Sequence, residues 1–596
     1  MSPTHSPCVQ TLASLGRARS FFVATVAVVW LSQSAPALAA DAATQLRQYQ
    51  QETLRRLTPP APAPAASTDV TTQIGSPSQA GTASTERIMV QGFAVTGVTV
   101  FSQEELFEAL RPHVGKELDT AGIHAAADAL TALYRRAGYF VARAYIPPQQ
   151  VAGIIQLDVL EGRLDGTPFE VINRGSRIKS EVVQSILEAN IPADQPIRND
   201  HHERALLLAE DLPGVTTSST LYPGEWVGSA RLRTTLTDLP LLSGNVDVDD
   251  FGYPSTGRFR LGSTIYLNSP TQVGDQLVGR LVTSGHRSSY AYLTYLRPIS
   301  PLGTRAGLSA DHLVYHADPI TDLGKSSGHA TDLRAYLTHP IVRSRHRNLS
   351  VRADVFRQDL RDRNDLQING HRHLIAAQLG LQGDDEHAGL GAGLTTFSTS
   401  VTSGRTSIRG NILYRQLDEQ GAQTGGCFTR FNLGLTRLQY LTPSVTVLAT
   451  VNAQWASTAL DGSQRYYLGG PISNAGYPIA EAGGDMGADL QVELRKDLQL
   501  SDQGVLTLGV FHQTGWIKQH ESAWPGWQGT KTHLHNEVAL RTVGLSATVT
   551  VMHTWVVRGL VGWQTGNHPL ASPANGTASD GRRGEHRSWL QVIRYF

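Results

Sequence analysis

Four stretches of this chain carry residue types that perform chemistry in other settings. Gly324-Lys325-Ser326-Ser327-Gly328 fits the G-x-S-x-G pattern. That pattern activates a serine only on a sharp turn between a strand and a helix. His533 and His535 would share one face of a strand, as metal ligands do, with Glu537 continuing the spacing. His201-His202 and Cys427 complete the set. Each lacks the company its chemistry requires. The serine lies between two strand-like runs, LVYHADPITDL and RAYLTHP. No further ligand joins His533 and His535 at a metal spacing, so they read as loop histidines. His201-His202 begins a polar helix and reads as solvated. Cys427 has neither base nor partner in view. The sequence predicts no catalytic residue, no metal site, no cofactor and no enzyme.

The elements around these residues tell more. Residues 1–39 read as a secretory leader. Arg17 and Arg19 precede the apolar run 21–31, and Ala37-Leu38-Ala39 is a small-x-small cleavage site. The run is too short to span a bilayer as a helix. Cys8 falls within the leader, so one cysteine is expected in the exported chain and no disulfide framework. Lys plus Arg and Asp plus Glu both number 51. A near-neutral chain gives no reason to expect nucleic acid as a partner. Beyond the leader no run of about 18 apolar residues appears, so no helical span is expected.

Residues 40–57 form a mostly polar helix with Leu46, Tyr49, Leu54 and Leu57 on one side. It is either a mobile element or a disordered N-terminus. Residues 58–86 are rich in Pro, Ala, Ser and Thr and form a linker. Residues 87–163 form an α/β unit. Its strand IMVQGFAVTGV leads to a helix opened by Ser102 and Glu105, a capping box. A second helix carries Ile123, Ala127, Leu130 and Tyr134 and stops at Gly138. YFVARAYIP and GIIQLDVLEG are two further strands. Residues 164–240 repeat this strand–helix–helix–strand–strand plan, an internal repeat.

From 241 to 596 the period changes to two. Val445, Val447, Ala449, Val451, Ala453 and Trp455 share one face of a strand, with Thr446, Thr450, Asn452 and Gln454 on the other. TVGLSATVTV alternates in the same way. An apolar face opposite a polar face, strand after strand, is the signature of a transmembrane β-barrel. Such a sheet must close, because unpaired backbone groups cost several kcal/mol each in lipid. At roughly 20 to 25 residues per strand and connection, the region holds about 14 to 18 strands, with 16 the even middle value. The Gly-rich stretch LGGPISNAGYP, residues 468–478, interrupts this pattern without a charge or a ligand.

At this point the chain resembles the TpsB translocators of two-partner secretion, the ShlB/FhaC/HecB hemolysin secretion/activation family of the BamA-like superfamily. VFSQEELFEALRPHVGKELD and LYRRAGYFVARAYIPPQQVAGIIQLDVLEGRL resemble the first POTRA domain, and ERALLLAEDLPGV the second. VDDFGYPSTGRFRLGSTIYLNSPTQVGDQL resembles the first strands of the barrel. YYLGGPISNAGYPIAEAGGDMGADLQVELR resembles the loop that folds back inside it, around 466–490. The resemblance implies an N-terminal plug helix, two periplasmic POTRA domains and an antiparallel outer-membrane barrel of about 16 strands. It implies recognition of a large exported partner, an adhesin, hemolysin or contact-dependent toxin, and its unfolded passage to the surface without ATP. Outer-membrane lipids and the barrel assembly machinery are the other implied partners. The alternative is an assembly or insertion factor of the BamA-like type. A client groove is expected along Ile123, Leu130, Tyr134, Tyr139, Val141 and Ile146.

The loop motif is Gly469, Gly470, Pro471, Asn474, Ala475, Gly476, Tyr477 and Pro478. The family usually has an Arg before the Gly-Tyr pair and an Asp in a Phe-x-Asp-x-Gly phrase on a facing strand. Here Ala475 holds the first position. In VLTLGVFHQTGW, Phe511 and Gly515 keep theirs, and Gln513 replaces the Asp. Alternation points Gln513 into the lumen. Removing both members of a buried pair avoids the stranded charge that losing one would leave. A neutral hydrogen bond is expected instead, to Gln513 from Asn474 or from a backbone group.

Overall fold

The structure, a computed structural model, describes residues 41–57, 87–150, 153–193, 195–318, 325–365, 368–386, 388, 391–528 and 533–596. The expected leader 1–39 and linker 58–86 lie outside these residues. The first described helix, α1 (Ala42–Leu57), stands inside a closed barrel.

The first α/β unit is built on local signals. Ser102 caps α2 (Gln103–Leu110), accepting from the Glu105 N–H, while the Glu105 carboxylate accepts from the Ser102 N–H at 2.9 Å. Asp119 caps α3 (Thr120–Arg136), accepting from the Gly122 N–H at 2.8 Å. Both helices cover a sheet in which Ile154–Leu160 lies between Gly92–Thr96 and Arg143–Tyr145. IMVQGFAVTGV is two strands, and the first, Ile88–Val90, pairs with Lys116–Leu118. The strand expected over YFVARAYIP shrinks to Arg143–Tyr145, because Phe140 and Val141 turn away to pack on the core of the second unit.

The expected client groove is not an open surface. Ile123, Leu130 and Tyr134 are buried in the unit's own core beside Ile155 and Leu157. Tyr139 and Ile146 pack against that core, and Val141 against the neighbouring one. The apolar face of α3 packs on its own sheet.

The second unit contains Arg163–Arg174, α4 (Ser180–Asn190), α5 (Asn199–Glu210), Val215–Pro223 and Ser229–Asp238, with the last strand in the centre of the sheet. It docks on one rim of the barrel. Asp211 takes both arms of the Arg343 guanidinium at 2.8 and 2.9 Å, Arg204 donates to the Pro340 carbonyl at 2.8 Å, and the Arg345 N–H donates to Glu203 at 2.8 Å. His202, expected in solvent, is buried instead, its ring 5.8 Å from that of Phe140.

The barrel opens with β1 (Leu242–Asp249), β2 (Arg260–Asn268), β3 (Gln276–Thr283) and β4 (Ser288–Pro298). It continues with β5 (Arg305–Ala317), β6 (Ser326–Arg343), β7 (Arg347–Asn364) and β8 (Gly370–Asp385). Next come β9 (Gly393–Ile408), β10 (Gly426–Thr442), β11 (Val445–Ala456) and β12 (Met486–Ser501). It ends with β13 (Gly504–Lys518), β14 (Glu537–Val551), β15 (Trp555–Gln564) and β16 (His586–Tyr595). Each strand pairs antiparallel with the next, and β16 closes on β1 through the five pairs from Gln591↔Asp249 to Tyr595↔Asn245. Leu508, Val510 and Trp516 of β13 face outward, while Phe511 and Gln513 are buried inward. Period-two patterning therefore sorts lipid side from lumen side. Ser326 opens β6 with no helix after it, so the G-x-S-x-G stretch is not a nucleophile turn; its Gly324 lies outside the described residues. Cys427 is exposed near the start of β10.

Candidate functional site: the filled lumen

Among the described residues, α1 and the loop 457–485 between β11 and β12 occupy the barrel interior. The loop folds back as a hairpin of Tyr466–Leu468 and Ala482–Gly484. It is shorter than expected at its far end, since Met486 already begins β12.

The tip of the loop is a tight turn. Gly470 donates to the Tyr477 carbonyl at 3.1 Å, and Gly469 adopts a φ of 110°, which a side chain disfavours. The backbone of Ala475 and Gly476 within this turn is gripped by four strands. The Ala475 N–H donates to Gln513 Oε1 of β13 at 2.8 Å. The Gly476 N–H donates to Thr542 Oγ1 of β14 at 3.3 Å. The Gly476 carbonyl accepts from Gln564 Nε2 of β15 at 2.8 Å. The Ala475 carbonyl accepts from Trp589 Nε1 of β16 at 2.8 Å. Of the two donors considered for Gln513, the structure has the backbone one. Asn474 reaches only the Gln513 carbonyl at 3.5 Å and the Leu540 carbonyl at 3.3 Å.

Packing explains why Ala475 carries no charge. It is fully buried among Phe511, Leu560 and Trp589. A Cβ on Gly562 would lie 2.7 Å from the backbone of Ala475 and Gly476, so the wall itself makes room for the tip. Gly515 does the same for Leu468 and Asn474. Tyr477 is fully buried and meets the His568 ring edge-on at 5.1 Å. Thr542, Gln564 and Trp589 were not anticipated. Their only sequence signal is parity, which places each on the lumen side of its strand.

α1 is held at both ends by ion pairs. At its N-terminus Arg372 of β8 reaches Asp41 and Asp461 at 3.2 Å and also pairs with Asp362. Toward its C-terminus Glu52 meets Arg260 of β2 at 2.9 Å, and Arg260 also pairs with Asp249 of β1 at 2.8 Å. Between these ends Leu46 and Tyr49 are buried against the wall, with Tyr49 stacked on Tyr290 at 4.9 Å. Thr44 Oγ1 lies 2.9 Å from the Tyr467 hydroxyl, tying α1 to the loop. Arg47 is different. Its Nε is buried without a hydrogen-bond partner, and it faces Arg334 and Arg430 of the wall.

Among the described residues no group of three or more His, Cys, Asp or Glu is arranged to hold a metal ion.

A sequence model of the haemolysin secretion/activation protein family ShlB/FhaC/HecB matches residues 228–530, and one of the ShlB-type POTRA domain matches residues 88–162. The chain belongs to this family of two-partner secretion transporters, outer-membrane barrels with periplasmic POTRA domains. The heme/hemopexin transporter protein HuxB of Haemophilus influenzae strain 86-028NP is 27% identical over 83% of this chain and 84% of its own length. The outer membrane transporter CdiB of Escherichia coli is 24% identical over 68% of each chain. Among solved structures, CdiB from Escherichia coli superposes with a TM-score of 0.69 at 19% identity, over 93% of this chain and 98% of that one. CdiB from Acinetobacter baumannii gives 0.60 at 16% identity, over 93% and 97%. These two establish a shared fold.

Proposed function

We propose that this chain recognises one large exported protein in the periplasm and passes it unfolded through the barrel lumen to the cell surface, without ATP. The second α/β unit acts as a second POTRA domain, and the chain carries out no catalysis. The filled lumen carries this reading. α1 blocks the pore through contacts that all break without bond cleavage, and a Pro-, Ala-, Ser- and Thr-rich stretch, 58–86, follows it in the sequence. The neutral grip on Ala475 and Gly476 serves in place of the family's charged lock. Cargo is an adhesin, hemolysin or contact-dependent toxin that folds outside and so cannot return. The lipid-facing strands meet outer-membrane lipids, and the barrel assembly machinery inserts the chain. Deleting 87–163 tests the reading: a co-expressed exported partner of this chain should accumulate in the periplasm. Its undiminished release to the medium would contradict the POTRA-dependent step.

A further inference from the structure

Outward positions of a barrel strand are apolar through the hydrocarbon, because an arginine is costly at the bilayer midplane and nearly free at the interface. On β7 the outward positions run Leu349, Val351, Ala353 and Val355, and then turn to Arg357, Asp359, Arg361 and Arg363. The second unit grips the other end of this strand pair through Arg343 and Arg345, so these arginines lie toward the extracellular rim. Register places their neighbours. Arg357 stands between Leu333 of β6 and Ile375 of β8, and Ile375 is paired on its far side with Arg405 of β9. Arg361 stands between His329 and His371. Below this row Val355 and Val401 continue an exposed apolar wall with Leu333 and Ile375.

Charge on this face is one-sided. Among the described residues, Asp359 is the only acid on the outward extracellular halves of β6 to β9, and it is already engaged. It accepts from Arg361 Nε at 3.0 Å, and His371 Nε2 lies 2.9 Å from its other oxygen. Arg357, Arg363 and Arg405 are exposed and have no acid and no hydrogen-bond acceptor among the described residues. The extracellular halves of β1, β2 and β3 present Val248, Leu261 and Leu281 outward instead. The cations therefore belong to one arc of the wall. Two strand spacings separate Arg357 from Arg405, about 10 Å, and six residues along β7 separate Arg357 from Arg363, roughly 20 Å.

We propose that Arg357, Arg363 and Arg405 form a site on the outer wall for the phosphate groups of the acylated glycolipid of the outer leaflet, lipopolysaccharide, whose acyl chains lie on Leu333, Val355, Ile375 and Val401. A guanidinium binds phosphate through two parallel N–H donors, and burial under a lipid headgroup strengthens each contact. Phosphates above and acyl chains below match the order of charge and apolar surface on this arc. The site fixes the height of β6 to β9 in the membrane. It rests on the outer-membrane placement of the barrel and not on passage of a partner through it.

The test follows thermal unfolding of the purified full chain in detergent, titrated with lipid A that carries both phosphates. Dephosphorylated lipid A and inorganic phosphate are titrated in parallel. Two variants are compared with the wild type: the triple Arg357→Gln, Arg363→Gln, Arg405→Gln, and the control pair Lys518→Gln, Arg541→Gln on β13 and β14. Only barrels that migrate as folded protein in unheated gels are titrated. Lipid A should raise the wild-type midpoint saturably, and at least tenfold more of it should be needed by the triple variant. The control pair should titrate like the wild type, and dephosphorylated lipid A and inorganic phosphate should have no comparable effect. Equal titration of the triple variant, equal weakening by the control pair, or an equal shift with either phosphate-free lipid or free phosphate would each overturn the site. The comparison of the three ligands on the wild type holds even if the triple variant does not fold.

Discussion

Gln513 accepts the Ala475 N–H with one end of its amide and donates to Gln491 at 3.2 Å with the other. Truncation would leave a buried N–H without a partner, at a cost of about 1–3 kcal/mol. Gln513→Ala is therefore expected to loosen the loop and raise the open-state current of single channels in planar bilayers. Asn474→Ala loses only two long bonds, and Asn474 Oδ1 is buried without a partner in any case, so its current should stay near wild type. Equal effects from the two variants would contradict this assignment. The sequence made Gln513 legible, because parity and a matched motif gave its facing and its lack of charge. The donor was not legible. Backbone amides carry no residue-specific signal, so the roles of Thr542, Gln564 and Trp589 emerged only with the register of four separate strands.

At the scale of elements, α1 sits in a balance of opposed charges. Glu52 holds it in place through Arg260, whereas Arg47 is desolvated opposite Arg334 and Arg430. A buried cation without an acid is costly, and loss of one partner of a buried pair costs about 3–5 kcal/mol. Glu52→Gln should therefore raise the fraction of open channels and Arg47→Gln should lower it, both read from bilayer recordings. The same sign for both would exclude this balance. α5 adds a pH dependence. Burial pushes the His202 imidazole down to about 4, and the Arg345 guanidinium acts in the same sense. Unfolding lets this group take up a proton near its ordinary value of 6.5, so the folded state loses stability as pH falls from about 6.5 to 4. His202→Phe should flatten thermal stability over that window, and an unchanged slope would remove His202 as its cause. Capping and periodicity made the helices of both units readable. The burial of His202 was hidden because it depends on Phe140, a residue of the other unit.

At the scale of the whole molecule, the barrel and the paired units follow from patterns that the chain displays openly. Two-residue alternation fixes a closed sheet in lipid, and the doubled strand–helix–helix–strand–strand plan fixes the units before it. The placement of α1 was less legible, since a polar helix fits a lumen and a disordered terminus equally well. Its docking depends on Arg260 and Arg372, each hundreds of residues away in sequence. The central claim is passage of a separate protein through this lumen. Its most direct measurement is reconstitution of the purified chain alone in liposomes, with its unfolded exported partner added outside and no nucleotide present. The exported partner should become protease-protected inside, and a disulfide engineered between α1 and the wall should abolish this until it is reduced. Protection that persists with α1 locked in the lumen would contradict it.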